Sequence, residues 1–154
     1  MYRIRKLLQL SWLEKLLLIY AILVLAMVSL GISVLSWLDL QHVLLKLANW
    51  HPRFVLRHRP SAKQIVRAIR VASRYVPMAT CLPQTLAAQL LLTQNGYSAK
   101  LEIGVAKNKE GVLEAHAWVR SGYSVVIGGV QDLDHFVSLS SMETKSIEDY
   151  AREA

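Results

Sequence analysis

Cys81, the one cysteine of the chain, stands where a helical pattern begins. From Met78 the sequence reads Met78-Ala79-Thr80-Cys81-Leu82-Pro83-Gln84-Thr85-Leu86-Ala87-Ala88-Gln89-Leu90-Leu91-Leu92, with Leu82, Leu86, Leu90 and Leu91 at helical spacing. Thr80 suits an N-cap, and Pro83 is tolerated only in a first turn. A thiol there meets the positive end of the helix dipole, which favours the nucleophilic thiolate. Downstream, Ala115-His116-Ala117-Trp118-Val119 reads as a strand carrying an imidazole. The chemistry of such a pair is attack of the thiolate on a carbonyl, with the imidazolium protonating the leaving amine. A structural reading stands beside it: a lone cysteine is often a small apolar filler, and a strand histidine can simply pack. Spacing alone does not choose between the two.

The elements that would hold this pair follow from periodicity. Ser61 is placed to cap a helix from about Lys63 to Tyr75, ended by Pro77. Ile65, Val66, Ile69 and Ala72 face inward, and Lys63, Arg67, Arg70 and Arg74 form a solvated stripe. The cysteine helix runs to about Gln94, where Asn95-Gly96 signals a C-cap. Leu101, Ile103 and Val105 alternate with polar residues, as in a half-buried strand, and Asn108-Lys109-Glu110-Gly111 turns the chain. Residues 113–120 form the histidine strand, with Glu114, His116 and Trp118 on one face. A third strand occupies 123–127, closed by Gly128-Gly129, and the charged tail from Ser141 (residues 142–153) reads as a short helix. Trp118 is either a wall beside His116 or core packing. The fold class is α+β: helices first, then a small antiparallel sheet.

Composition sets the context. The chain has 154 residues, 53% of them apolar and 19% charged, a low charge content for a small soluble domain. The formal net charge is +7, which favours anionic partners. A single cysteine excludes an internal disulfide and any multi-cysteine zinc site, and no nucleotide motif is visible. Residues 1–50 differ from the rest: Leu16 to Leu38 carries no charge, long enough to cross a bilayer, with Trp12, Tyr20 and Trp37 near its ends. A cleaved signal peptide fits poorly, because Trp37-Leu38-Asp39 is no small-residue cleavage site. Membrane association is expected, and a hydrophobic hairpin packed on the domain is the alternative. The basic residues before and after the run nearly balance, so orientation is not fixed. Residues 51–63 form a basic linker bounded by Pro52 and Pro60, lacking the interleaved aromatics of a nucleic-acid surface. The division is therefore 1–50 hydrophobic and helical, 51–63 linker, and 64–154 the domain bearing Cys81 and His116.

At these residues the chain resembles a known family. Cys81-Leu82 opening a Leu-rich helix, Leu90-Leu91-Leu92 to Asn95-Gly96, Ala99-Lys100-Leu101-Glu102-Ile103-Gly104-Val105 and Ala115-His116-Ala117-Trp118-Val119 are similar to the transglutaminase-like domain of the lasso peptide biosynthesis B proteins, the leader peptidases of lasso peptide maturation. Leu10-Ser11-Trp12-Leu13-Glu14-Lys15 and the Ile65–Pro77 helix also resemble that family. The resemblance implies a papain/transglutaminase-like core and a bacterial cysteine protease on the cytoplasmic side of the membrane, with Cys81 and His116 catalytic and no cofactor. It implies a precursor peptide as substrate, a macrolactam synthetase that uses the freed core amine, and a small leader-binding protein. No room for that last module exists before residue 51, so the split form, with the partner in trans, is expected. Membrane lipid is a further expected partner and nucleic acid is not. An acyl transferase on the same core, or a non-catalytic membrane scaffold, remains an alternative.

The family pattern has an acid in the strand after the histidine, whereas Val125-Val126-Ile127-Gly128-Gly129 has none. Asp132 and Asp134 lie just beyond; Asp132 is the favoured third member, with an exposed turn as the other reading. A backbone carbonyl or a side-chain amide can also orient His116. The Cys81 N–H is the expected oxyanion donor, with Gln84 as a side-chain candidate.

Overall fold

The computed structural model describes residues 11–50, 59–107, 110–122, 124–129 and 136–143, the stretch 137–143 by its backbone. Two apolar helices come first, α1 (Trp12–Val34) and α2 (Trp37–Ala48). Helices α3 (Ala62–Ala72) and α4 (Cys81–Gln94) follow, then β1 (Lys100–Lys107), β2 (Leu113–Ser121), β3 (Ser124–Ile127) and β4 (Val137–Glu143). The strands form one antiparallel sheet in the order β3-β2-β1-β4.

The apolar run from Leu16 to Leu38 is broken within, not continuous. Leu35 leaves the helical region and Ser36 caps a new helix, its Oγ accepting from the Asp39 N–H at 3.3 Å. Ser11 and Glu14 close α1 with a reciprocal capping box, and Ser61 and Gln64 do the same for α3. Helix α3 ends at Ala72, and the remaining turn to Val76 is held by Tyr75 and Val76 N–H bonds to the Ala72 carbonyl.

Helix α1 packs against α3 and α4, burying Leu17, Ala21, Val24, Leu25, Val28 and Gly31. Four of these are Leu or Val side chains, so that face contributes on the order of 8 kcal/mol as an upper bound. The opposite face stays apolar and open: Ile19, Leu23, Leu30 and Val34 are 55–79% exposed. Among the described residues α1 alone has the length and composition to cross a membrane. Gln94 ties the helices together. Its amide donates to the carbonyls of Leu47 (2.7 Å) and Trp50 (3.0 Å) and accepts from the Tyr20 hydroxyl (2.9 Å). Burial raises the pKa of Tyr20 above its ordinary value, and the Gln94 bond opposes this more weakly.

In the sheet, the pairs Leu101↔Val119 and Ile103↔Ala117 face the helices, whereas Glu102↔Trp118 and Gly104↔His116 turn to the other side. The segment Ser141–Glu143, read as the start of a helix, instead pairs with Lys100–Glu102 in β4. The alternation Val137-Ser138-Leu139-Ser140 is a strand signal masked by the charge that follows it. Lys63, Arg67, Arg70 and Arg74 are exposed, as their spacing predicts, and with Val126 they border an open groove of about 550 Å³.

Candidate active site

Cys81 is the first residue of α4 and is partly exposed. This helix start differs from the other three. Serines cap α1, α2 and α3 with their side chains, whereas Thr80 occupies the N-cap of α4 in extended conformation and makes no side-chain capping bond. Pro83 has no N–H, and the Gln84 N–H already bonds the Thr80 carbonyl. The amides of Cys81 and Leu82 are the donors this helix start can offer a nascent oxyanion. Gln84 is spent elsewhere: its side-chain amide donates to Ala79 O at 2.7 Å, bracing the loop that leads into the cysteine. In that loop Met78 holds φ 62, a left-handed conformation that a side chain with a Cβ adopts at a cost.

Topology brings Cys81 and His116 to the same end of the molecule. The connection 95–99 turns the chain back, so β1 runs antiparallel to α4, pinned by the Gln89 side chain donating to Ala99 O. From Gln89 back to Cys81 the helix travels about 12 Å. From Ala99 forward to Gly104, the cross-strand partner of His116, β1 travels about 16 Å in the same direction. The imidazole does not face α4 across the packed helix–sheet junction. His116 belongs to the other side of β2, on a stretch of that strand past the end of β3, where Gly128 passes close to Ala117 and Trp118. Sγ makes no hydrogen bond among the described residues. Cys81 and His116 make no hydrogen bond with each other in this structure.

The ring itself is firmly held. Nε2 lies 2.6 Å from the carbonyl oxygen of Gly128. Trp118 stacks beside it at 6.5 Å and Phe136 tilts against it at 5.8 Å, the two packing edge to face with each other. Trp118 is 3% exposed and is fixed by its indole N–H donating to Glu102 Oε2 at 2.6 Å. Arg120 braces the same carboxylate at 3.4 Å. Gly104 makes room for this cluster: a Cβ there would lie 2.8 Å from the Trp118 ring and 3.0 Å from the Phe136 Cβ. Trp118 is thus both wall and packing, on the sheet face away from the helical core. Sequence reasoning misses Phe136 and Gly104; the signal for Gly104 is a glycine inside a strand pattern. Asp132 and Asp134 lie outside the described residues. Among the described residues there is no cluster of metal-ligating side chains.

A helix-opening thiol over an antiparallel sheet that presents a clamped imidazole defines the class of thiol–imidazole α+β domains. Residues 24–141 match the family model of the transglutaminase-like superfamily, and the chain belongs to that superfamily. The match begins within α1 and takes in α2 to α4 and nearly all of the sheet described here. The superfamily includes cysteine peptidases and acyl transferases. No curated protein and no solved structure matches the chain.

Proposed function

We propose that this chain is a cysteine peptidase that removes the leader from a ribosomally made lasso peptide precursor, with Cys81 as nucleophile and His116 as general base and acid. The reading is supported above all by one pairing of features: a cysteine on a helix start whose amides are left open, and a histidine at the same end whose Nε2 is already engaged by Gly128 O at 2.6 Å. That engagement leaves Nδ1 as the ring atom for the thiol. The Cys-Leu and Ala-His-Ala-Trp motifs, similar to those of the lasso peptide biosynthesis B proteins, supply the substrate class.

In the proposed reaction the thiol proton passes to Nδ1 and Sγ attacks the carbonyl carbon of the scissile bond. The oxyanion is met by the Cys81 amide, with Leu82 beside it. Collapse breaks the C–N bond, the imidazolium protonates the departing core amine, and a thioester joins the leader to Cys81. Water, deprotonated by His116, then hydrolyses the thioester. Capture of that thioester by an amine would make the same core an acyl transferase. A small leader-binding protein in trans delivers the precursor, and a separate synthetase uses the freed amine to close the macrolactam. The exposed apolar face of α1, with the basic residues 53–63, seats the domain on the cytoplasmic face of a bacterial membrane.

The test is mass spectrometry of a cognate precursor incubated with the full chain and the leader-binding protein. Two products summing to the precursor plus one water are expected, and Cys81→Ala should produce none. Cleavage at the wild-type rate by Cys81→Ala would end the thiol mechanism, and an amine adduct in place of water would select the transferase.

A further inference from the structure

We propose that the backbone carbonyl of Gly128, not a carboxylate, is the group that orients His116, so the site works as a dyad with a neutral positioning residue. The inference deepens the peptidase reading and rests on it for its catalytic meaning, though the positioning itself is a property of the resting chain. A carbonyl oxygen only accepts, so at 2.6 Å the proton must lie on Nε2. The neutral ring is thereby the Nε2–H tautomer, with a bare lone pair on Nδ1. That is the state a general base needs to take the thiol proton. When the ring is charged, the same carbonyl faces a stronger donor and helps to hold the imidazolium.

Gly128 is suited to this by shape as well as by position. Its φ of 76 lies where glycine is at ease and other residues are strained. A Cβ at Gly128 would run into the Ala117 carbonyl and stand 2.8 Å from Trp118 Cα. The chain must pass this close to β2 for its carbonyl to reach the ring, and only a residue without a side chain can pass. An aspartate at 128 therefore cannot supply the missing acid without rebuilding the β2–β3 margin. Trp118 and Phe136 pack beside the ring and limit its rotation away from the carbonyl. The described charged side chains on this sheet face are Lys100, Glu102, Glu114 and Arg120. Glu102 and Arg120 are engaged with each other, Glu102 also with Trp118, Glu114 has a partner of its own, and the ring nitrogen Nε2 is taken by Gly128 O.

The experiment is 15N NMR of the full-length protein labelled at histidine, with His116 assigned by its loss in His116→Gln. The expected signature is one protonated nitrogen, Nε2, and an unprotonated Nδ1, retained unchanged in Asp132→Asn. A proton on Nδ1, a ring averaging between tautomers, or loss of the signature in Asp132→Asn would overturn the proposal, the last by transferring the role to Asp132. Gly128→Ala should abolish the signature, because the added Cβ drives the carbonyl away from the ring. A folded Gly128→Ala protein with the wild-type spectrum would also overturn it. The wild-type and Asp132→Asn spectra decide the matter if Gly128→Ala does not fold. A persistent Nε2–H signature in a protein that cleaves no precursor would remove the peptidase reading and leave the positioning intact.

Discussion

Replacing Gln94 with alanine should cost this protein a large part of its stability, although the residue is far from the candidate chemistry in sequence. The Gln94 side chain is 3% exposed and makes three hydrogen bonds, to Leu47 O, Trp50 O and the Tyr20 hydroxyl. At about 1 kcal/mol net for each bond, the loss is about 3 kcal/mol. Water reaching the exposed Trp50 end trims this, and the cavity left by the side chain adds to it. In a chain of this size about 3 kcal/mol corresponds to a fall in Tm of roughly 6–12 °C. The assay is thermal and urea unfolding of the full chain in mild detergent, followed by circular dichroism, for Gln94→Ala, Tyr20→Phe and the double variant. Tyr20→Phe alone should cost about 1 kcal/mol. The double variant should fall short of the sum by about 0.5–1 kcal/mol, since the Tyr20–Gln94 bond is then counted once. Strict additivity, or a Gln94→Ala cost below about 0.5 kcal/mol, would refute the clamp. The same pair has a signature in alkali. Burial raises the Tyr20 pKa above its ordinary 10.0, so the folded state favours the protonated phenol. Its contribution is complete below that ordinary value and is lost as pH climbs through the higher folded-state pKa. Tyr20→Phe should show a correspondingly shallower loss of stability at high pH.

Trp118→Phe removes the donor to Glu102 and should destabilise the chain by about 2 kcal/mol in urea unfolding. Glu102→Gln, which keeps an acceptor, should cost clearly less, and equal costs would dismiss the hydrogen bond as the cause. Gly104→Ala pushes a methyl group between Trp118 and Phe136; a cost of about 1–3 kcal/mol with an altered near-ultraviolet spectrum is expected, and a silent substitution would contradict the close approach. Met78→Gly relieves a left-handed φ and should be neutral to about 1 kcal/mol stabilising, whereas Met78→Val should lower the denaturant midpoint.

Much of this architecture is written in local patterns. Pro83 and the leucine spacing place α4, and alternation places β1 and β2 almost to the residue, because one face of each is buried and burial imposes a period. The break at Ser36 is not legible: inside an apolar run a serine reads as a soft position, and only its bond to the Asp39 N–H makes it a cap. Strand β4 is hidden by the charged residues that follow it. Cys81 and His116 stand out by residue type, and the structure sets them at one end. Which side of the sheet carries the imidazole depends on how α4 packs, and that is a tertiary fact. The group holding Nε2 is a main-chain oxygen, and a carbonyl common to every residue leaves no mark in a sequence. What the sequence does show is its negative, a stretch from Val125 to Gly129 without a carboxylate.

The two faces of α1 bear on how the protein can be handled. One side is greasy toward solvent, and a biochemist seeking a well-behaved sample would be tempted to begin the chain after Val34. Doing so would strip Ile65, Ile69, Leu91 and their neighbours of the layer that shields them, trading an oily exterior for an oily wound. The forfeited burial is comparable to the whole stability of an ordinary domain. A trimmed version that precipitates would therefore report on a missing wall of the building, and inactivity in such a preparation would say nothing about Cys81.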